Sequence, residues 1–233
     1  MKTREITGKF WIRCETEMEA YRADSFHDKE PETLKWIESF KGGTFADVGA
    51  NIGIYSLYCA ALYPEMAIYA FEPVKQNYDR LVENINLNGF TNISAMNCAV
   101  GSVNGMTQIY IPENEIGKSG AQIHTPVNEH NVNFNPVEVQ DIYECTLDVW
   151  PDFDYLKIDV DGHELDVLAG ARDMINRFRS LLIECNRDKI DVSQITDGFI
   201  KLGLFPDRRF NDLPNHSRYR RGGNQENIVF SRA

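Results

Sequence analysis

Two short acidic motifs carry the chemistry most readily read from this chain. The first is the run Phe45-Ala-Asp47-Val-Gly49-Ala50-Asn51-Ile-Gly53. Phe71-Glu72-Pro73 follows about twenty residues later. An apolar strand ends in an acid, passes through a glycine turn and opens a helix, and a second strand then ends in another acid. That order builds a nucleoside pocket. Gly49 and Gly53 lack the side chain that would block a tight turn or a close approach of backbone to ligand. Glu72, at the tip of the second strand, can accept two hydrogen bonds from a ribose diol. The second motif is Leu156-Lys-Ile-Asp159-Val-Asp161-Gly-His163-Glu164, with Ile183-Glu184-Cys185 on the next strand. Carboxylates crowded at neighbouring strand ends repel one another, which raises a pKa or recruits a cation. Such crowding marks functional sites more often than structural ones. Asp161 has a second reading, as the cap of a helix that begins near His163.

The details separate the nucleosides. The dinucleotide fingerprint G-x-G-x-x-G holds a pyrophosphate at a helix N-terminus. Here Asp47 stands in the place of the first glycine. A carboxylate there repels a pyrophosphate but pairs with the cationic amino-acid end of S-adenosylmethionine. The methyl donor is therefore the better reading, and NAD fits poorly. Methyl transfer from a sulfonium asks mainly for alignment and a low-water cleft. An aliphatic hydroxyl acceptor also benefits from a general base or a metal. Asp161 and His163 are the first candidates for the base, with Asp159 and Glu184 behind them. The intrinsic pKa of histidine suits that task. A magnesium-like ion on Asp159 and Glu184 would find the hard oxygens it prefers, but no metal motif supports it independently, and it is not favoured. An N-methyltransferase acting on planar amines would normally carry an Asn/Asp-Pro-Pro-aromatic run after the fourth strand. This chain has Asp159-Val-Asp161-Gly162 instead. A non-catalytic module that only binds the donor is the remaining alternative, disfavoured by the intact acids at both strand ends.

Strands and helices alternate around these motifs. Residues 44–48, 67–71, 93–100, 155–160 and 181–185 read as short apolar strands, and 227–231 as a terminal one. Helical patterns cover 54–62, 75–88, 163–178 (interrupted at Gly170) and 192–202. Asn88-Gly89 is a helix stop. This alternation implies an α/β fold with a mostly parallel sheet covered on both faces. Residues 1–40 form an N-terminal extension, with a short strand at Phe10–Ile12 and a helix over 31–40. Residues 104–150 insert strand-like pieces (106–111 and 137–145) around a polar stretch. Insertions at the carboxyl edge of a sheet commonly recognise substrate, and Asn114, Asn128, His130, Asn131 and Asn133 suit hydroxyls or a solvated loop equally.

Composition bounds the rest. With 233 residues, 42% of them hydrophobic, one sizeable core and a single domain over 1–233 are expected. A net charge of −11 disfavours nucleic acid as a partner. Arg208, Arg209, Arg218, Arg220 and Arg221 are a local exception, which reads either as a hold on an anionic acceptor or as a solvated loop paired with Asp207 and Asp212. Neither a membrane span nor a signal peptide is expected. The five cysteines are scattered, never in a C-x-x-C pair, and fit a reducing cytoplasm.

Taken together, FADVGANIG, FEP, LKIDVDGHELDVLAGA, LLIEC and the closing NIVFSR resemble the FkbM family of S-adenosylmethionine-dependent methyltransferases. The resemblance runs from about Phe45 to Glu184, with a weaker echo at Asn227–Phe230. It implies a Rossmann-like class I methyltransferase fold, with a seven-stranded, mostly parallel sheet whose last strand is antiparallel. It also implies O-methylation of hydroxyls on sugars, glycans and related metabolites, so the expected partner is a small-molecule or glycan acceptor. Carried over by position, Asp47, Gly49, Asn51 and Glu72 become donor-binding residues. Ala50, Gly53, Pro73 and Asp159, within the same motifs, join that set. Asn97 and Cys98, after the third strand, take the place of residues that edge the adenine.

Overall fold

The computed structural model describes residues 2–127, 133–188, 190–217 and 224–232. Asn128, His130, Asn131, Arg218, Arg220 and Arg221, singled out above, lie outside the described residues. The chain opens with a hairpin of β1 (Thr3–Ile6) and β2 (Phe10–Arg13), followed by α1 (Glu17–Asp24), α2 (Phe26–Lys29) and α3 (Pro31–Glu38). Pro31 starts α3 at its first turn, where its missing N–H has no partner to lose. The alternation that follows is β3 (Thr44–Val48), α4 (Ile54–Leu62), β4 (Ala67–Phe71), α5 (Lys75–Asn88) and β5 (Ile93–Met96). It resumes later with β10 (Tyr155–Ile158), α6 (Glu164–Ala169), β11 (Ser180–Asn186), α7 (Val192–Lys201), β12 (Leu204–Pro206), α8 (Arg208–Asn211) and β13 (Gln225–Arg232). Gly89 ends α5 in the left-handed region, as the Asn88-Gly89 stop predicts.

Among the described residues, seven strands form the main sheet in the order β12-β13-β11-β10-β3-β4-β5. The β3–β4, β4–β5, β10–β3 and β10–β11 pairs are parallel, whereas β13 runs antiparallel to both β11 and β12. The order reverses between β3 and β10, and a crevice opens beyond the strand ends there, where ligands bind in open α/β sheets. Side chains alternate between two cores. Phe45, Tyr155, Leu182 and Val229 pack on the face covered by the N-terminal helices and α4, while Ala46, Val48, Leu156, Ile158, Leu181, Ile183 and Phe230 pack on the other. Burial on both faces explains why these strands read as continuous apolar runs.

Three expectations from sequence need correction. The third strand does not run from 93 to 100. It stops at Met96, because the Asn97 side chain donates to the carbonyls of Glu72 and Pro73 (3.0 and 2.9 Å) and turns the chain out of the sheet. Ala99–Val100 then becomes β6 of a second sheet, with β7 (Gly105–Ile111), β8 (Gln122–Ile123) and β9 (Glu138–Cys145), in the order β6-β9-β7-β8. The insertion at 104–150 is thus largely a small sheet of its own. The helix expected over 163–178 ends at Ala169, and turns follow. Gly170 sits so close to the neighbouring loop that a Cβ there would lie 1.9 Å from the carbonyl oxygen of Gly101. Finally, β12 was not foreseen: it is three residues long and ends in proline, too short for a periodicity to register.

Candidate active site

The crevice beyond β3, β4 and β10 is a cleft of about 890 Å³, open to solvent. Its floor is made by two turns that follow strands. After β3, Gly49 and Ala50 both donate backbone hydrogen bonds to the carbonyl of Phe71 (3.0 and 2.9 Å). Gly49 has φ +82°, and a Cβ there would lie 1.8 Å from the carbonyl oxygen of Asp159. The two turns therefore touch backbone to backbone at the one residue without a side chain. Asn51 and Asp161 both adopt φ +53°, a left-handed conformation that Asn and Asp tolerate better than other non-glycine residues. Backbone of this kind clusters at ligand sites.

Glu72 projects from the end of β4 and is buried. One carboxylate oxygen accepts from the Asn51 amide (2.8 Å) and the other from the Val74 amide (3.0 Å). A carboxylate has about four acceptor positions, so room remains for a further donor. Burial pushes the carboxyl up to about 7, against the pull of those two amides, Asn77 and Arg22.

Beneath the floor lies a buried charge chain. Asp47 and Lys157 are register partners on adjacent strands, 3.5 Å apart. Lys157 also donates to Asp159 (3.1 Å), and Asp47 accepts from Ser56 of α4 (2.6 Å). Its ammonium lies 5.3 Å from the centre of the Tyr55 ring, and the Tyr55 hydroxyl donates to Glu30 (2.9 Å). Burial alone would lower the Lys157 pKa, but the charges of Asp159, Asp47 and Glu30 outweigh it and hold the ammonium above its ordinary range.

A polar strap covers the cleft. The carbonyl of Lys118 accepts from the side chains of Asn51 (2.9 Å) and Asn77 (3.1 Å), and the Gly117 amide donates back to Asn77 (2.8 Å). The Gly120 amide donates to Asp161 (2.7 Å), and Gln122 donates to the Asp161 carbonyl (3.0 Å). His163, the N-cap of α6, has its Nδ1 3.3 Å from Asp166. The N-cap is thus His163, not Asp161 as the alternative reading had it. Next to it, Glu164 accepts from the Gly162 amide (3.0 Å). Burial pushes its carboxyl up to about 7 against that amide, and the Asp159 and Asp161 charges add to the push.

Of the residues singled out from sequence, Gly49, Ala50, Asn51, Glu72, Pro73, Cys98, Asp159, Asp161 and His163 line this cleft. Four others do not. Asp47 is committed to Lys157 and Ser56 beneath it, and Gly53 caps α4. Asn97 braces the turn after Glu72 from behind. Glu184 is buried on β11 at the register of Asn227. Sequence reasoning missed Arg22, Lys29, Tyr55, Asn77, Lys118 and Lys157, all of which line the cleft. Lys157 carried a signal: a lone cation inside an apolar strand beside acids is the counter-ion that crowded carboxylates recruit. Asn77 sits in the first turn of α5 with nothing in the sequence to mark it. Among the described residues, no group of three or more His, Cys, Asp or Glu is placed to hold a metal ion. The arginine cluster is described only in part: Arg208 pairs with Asp212 (2.7 Å) and Arg209 with Asp207 (2.6 Å), the acids expected from sequence, but on the short helix α8 rather than on a loop.

Comparison with known proteins fits this geometry. Residues 47–208 match the methyltransferase FkbM domain. The chain belongs to the FkbM methyltransferase family. The methyltransferase sdnD of Sordaria araneosa is 31% identical over 153 residues, which cover 54% of this chain and 59% of that protein. The hexuronic acid methyltransferase AglP of Haloferax volcanii is 27% identical over 151 residues, 64% of this chain and 59% of that one. The chain thus spans less than two thirds of the length of the curated relatives it matches. Among solved structures, magnesium protoporphyrin IX methyltransferase from Synechocystis PCC 6803 superposes with a TM-score of 0.53 at 10% identity, covering 95% of this chain and 86% of that one. The fold is that of the class I methyltransferases, with the antiparallel last strand predicted above. Among the described residues, no helix is long and apolar enough to cross a membrane.

The charge chain gives a direct test. Replacing Lys157 with Met leaves Asp47 and Asp159 without their shared counter-ion, and breaking such a buried pair typically removes about 3–5 kcal/mol of stability. Urea unfolding should show that loss, and adding Asp47→Asn to Lys157→Met should recover part of it.

Proposed function

We propose that this chain is an S-adenosylmethionine-dependent methyltransferase that methylates a hydroxyl of a sugar, glycan or glycosylated metabolite. The observation that carries the donor reading is Glu72. Two backbone amides fix both of its oxygens at a strand end beside a turn with no Cβ at its closest approach, which suits a ribose diol. Gly49, Ala50 and Asn51 would pass along the donor, Cys98 would edge the adenine, and Asp159 would face the α-ammonium in place of Asp47. When bound, the donor supplies an electrophilic methyl on a sulfonium. The cytoplasm suits this reading, since all five cysteines are buried free thiols and thiols stay reduced there.

The acceptor side rests on Asp161 and His163. A carboxylate accepts, so the contact with Asp166 puts the proton of neutral His163 on Nδ1 and makes Nε2 the basic nitrogen. That is the tautomer a general base for a hydroxyl needs. Asp161 steadies the strap through the Gly120 amide and is the second candidate. The hexuronic acid methyltransferase among the relatives supports a sugar acceptor, as does the Asp159-Val-Asp161-Gly162 run in place of the aromatic-bearing motif of planar-amine enzymes. The whole of 1–233 acts as one domain in this reading, with the 104–150 insertion facing the acceptor.

Four measurements test it. Glu72→Ala removes two charge-assisted hydrogen bonds worth about 1.5–3 kcal/mol each, so calorimetry should show donor affinity at least about tenfold lower in a folded protein. In the unaltered protein the ionised carboxylate is the better acceptor. Donor affinity should therefore rise with pH through about 7 and level off above it, a dependence that Glu72→Gln abolishes. His163→Gln should lower kcat by about 10²–10⁴-fold with donor affinity intact. Mass spectrometry across candidate glycans should find methyl transfer to oxygen; transfer only to nitrogen acceptors would overturn the acceptor class.

A further inference from the structure

S-Adenosylmethionine carries an α-carboxylate as well as a ribose and an α-ammonium, and the residues assigned so far leave that carboxylate without a cation. Four cations line the cleft: Arg22, Lys29, Lys118 and Lys157. Three of them have a carboxylate close by. Lys157 is 3.1 Å from Asp159, Lys118 is 3.0 Å from Glu113, and Lys29 is 2.7 Å from Glu30. Arg22 differs. Its Nε donates to the carbonyl of Gly117 (2.7 Å), and it forms no ion pair among the described residues, in a chain where 35 acids outnumber 24 Lys and Arg. Its side chain lines the cleft, and its charge reaches both Glu72 and Tyr55. It shares the cleft with Glu72 at the ribose position and with Tyr55 in the first turn of α4, the stretch along which the amino-acid end of the donor would lie.

The position of Arg22 is built rather than incidental. Thr16 and Glu19 form a capping box at the start of α1. Glu19 is fully buried and pairs with Arg80 of α5, which also holds Glu15 (3.2 Å). Arg22 lies three residues after Glu19, on the same side of the helix. The buried pair therefore fixes the turn from which Arg22 reaches the cleft.

We propose that Arg22 binds the α-carboxylate of the donor through its two terminal nitrogens, with Lys29 as a second cation beside it. A guanidinium fork matches a carboxylate in two parallel hydrogen bonds. The assignment rests on the donor reading above and adds a contact from outside residues 47–208, so the N-terminal segment becomes part of the donor site. The same guanidinium holds Gly117 of the strap, which ties recognition of the amino-acid end to the cover of the cleft.

Calorimetry with two probes tests it without any acceptor: S-adenosylhomocysteine, which has the carboxylate, and 5′-methylthioadenosine, which lacks the whole amino-acid end. At about pH 9, where Glu72 stays ionised with or without Arg22, Arg22→Gln should weaken S-adenosylhomocysteine at least about tenfold and leave 5′-methylthioadenosine unchanged, which also shows that the variant is folded. Glu72→Gln should weaken both. If Arg22→Gln weakens both probes equally, or neither, the assignment of Arg22 is overturned while the donor reading stands. If the unaltered protein binds neither probe, the donor reading fails and this assignment with it.

Discussion

The Asp47–Lys157–Asp159 chain is the constraint on which the rest of the site depends. It places one cation between two carboxylates at the point where the strand order reverses, so the two central strands meet in register with their charges matched. A buried ion pair of this kind contributes little net stability, because desolvation opposes the attraction, but removing one partner strands the other. Its effect is therefore on arrangement. Lys157 draws Asp159 over the strand end, the Asp159 carbonyl comes against Gly49, and the two turns lock as one floor. Glu72, held by the Asn51 amide of the same floor, inherits its position from that contact. Arg80 plays the same part for the N-terminal helices through Glu19.

Much of this was legible in sequence. The strands around Asp47, Glu72 and Asp159 show as short apolar runs because both faces of the sheet are buried, and the parallel order follows from their alternation with helices. The first turn was readable because Gly49 and Gly53 lack the side chain that would block it, whereas the left-handed backbone of Asn51 and Asp161 was not foreseen. What stayed hidden depended on contacts between distant residues. The true orientation of Asp47 follows from its register with Lys157, more than a hundred residues away, and no local pattern encodes a register between separated strands. Asn97 looked like an adenine contact because it ends a strand; its side chain instead braces the backbone behind Glu72. Arg22, Asn77 and Lys118 reach the cleft from three separate elements, and only the fold brings them together.

The small sheet of β6 to β9 is attached beside the main sheet without entering it. β6 leaves the main sheet at Asn97, and β9 returns the chain beside it, so the insertion begins and ends near the same point. Its own apolar residues, Ile109, Ile111, Ile123 and Ile142, form a separate cluster with Val74 and Ala99. This cluster seats the sheet against the start of α5, next to the turn that carries Glu72. The strap before β8 is thereby anchored at one end by a packed sheet and at the other by polar contacts to the floor.

Those polar contacts limit how modular the protein can be. Asn51 uses its backbone to orient Glu72 and its side chain to hold Lys118, and Asp161 joins the second turn to Gly120. The strap is thus wired into residues that line the cleft. Exchanging the strap for that of a relative would disturb the floor of the cleft unless the exchanged segment still offered a carbonyl to Asn51 and an amide to Asp161. Strap and floor are coupled in this scaffold through the strap's backbone rather than through side chains that can be swapped one at a time.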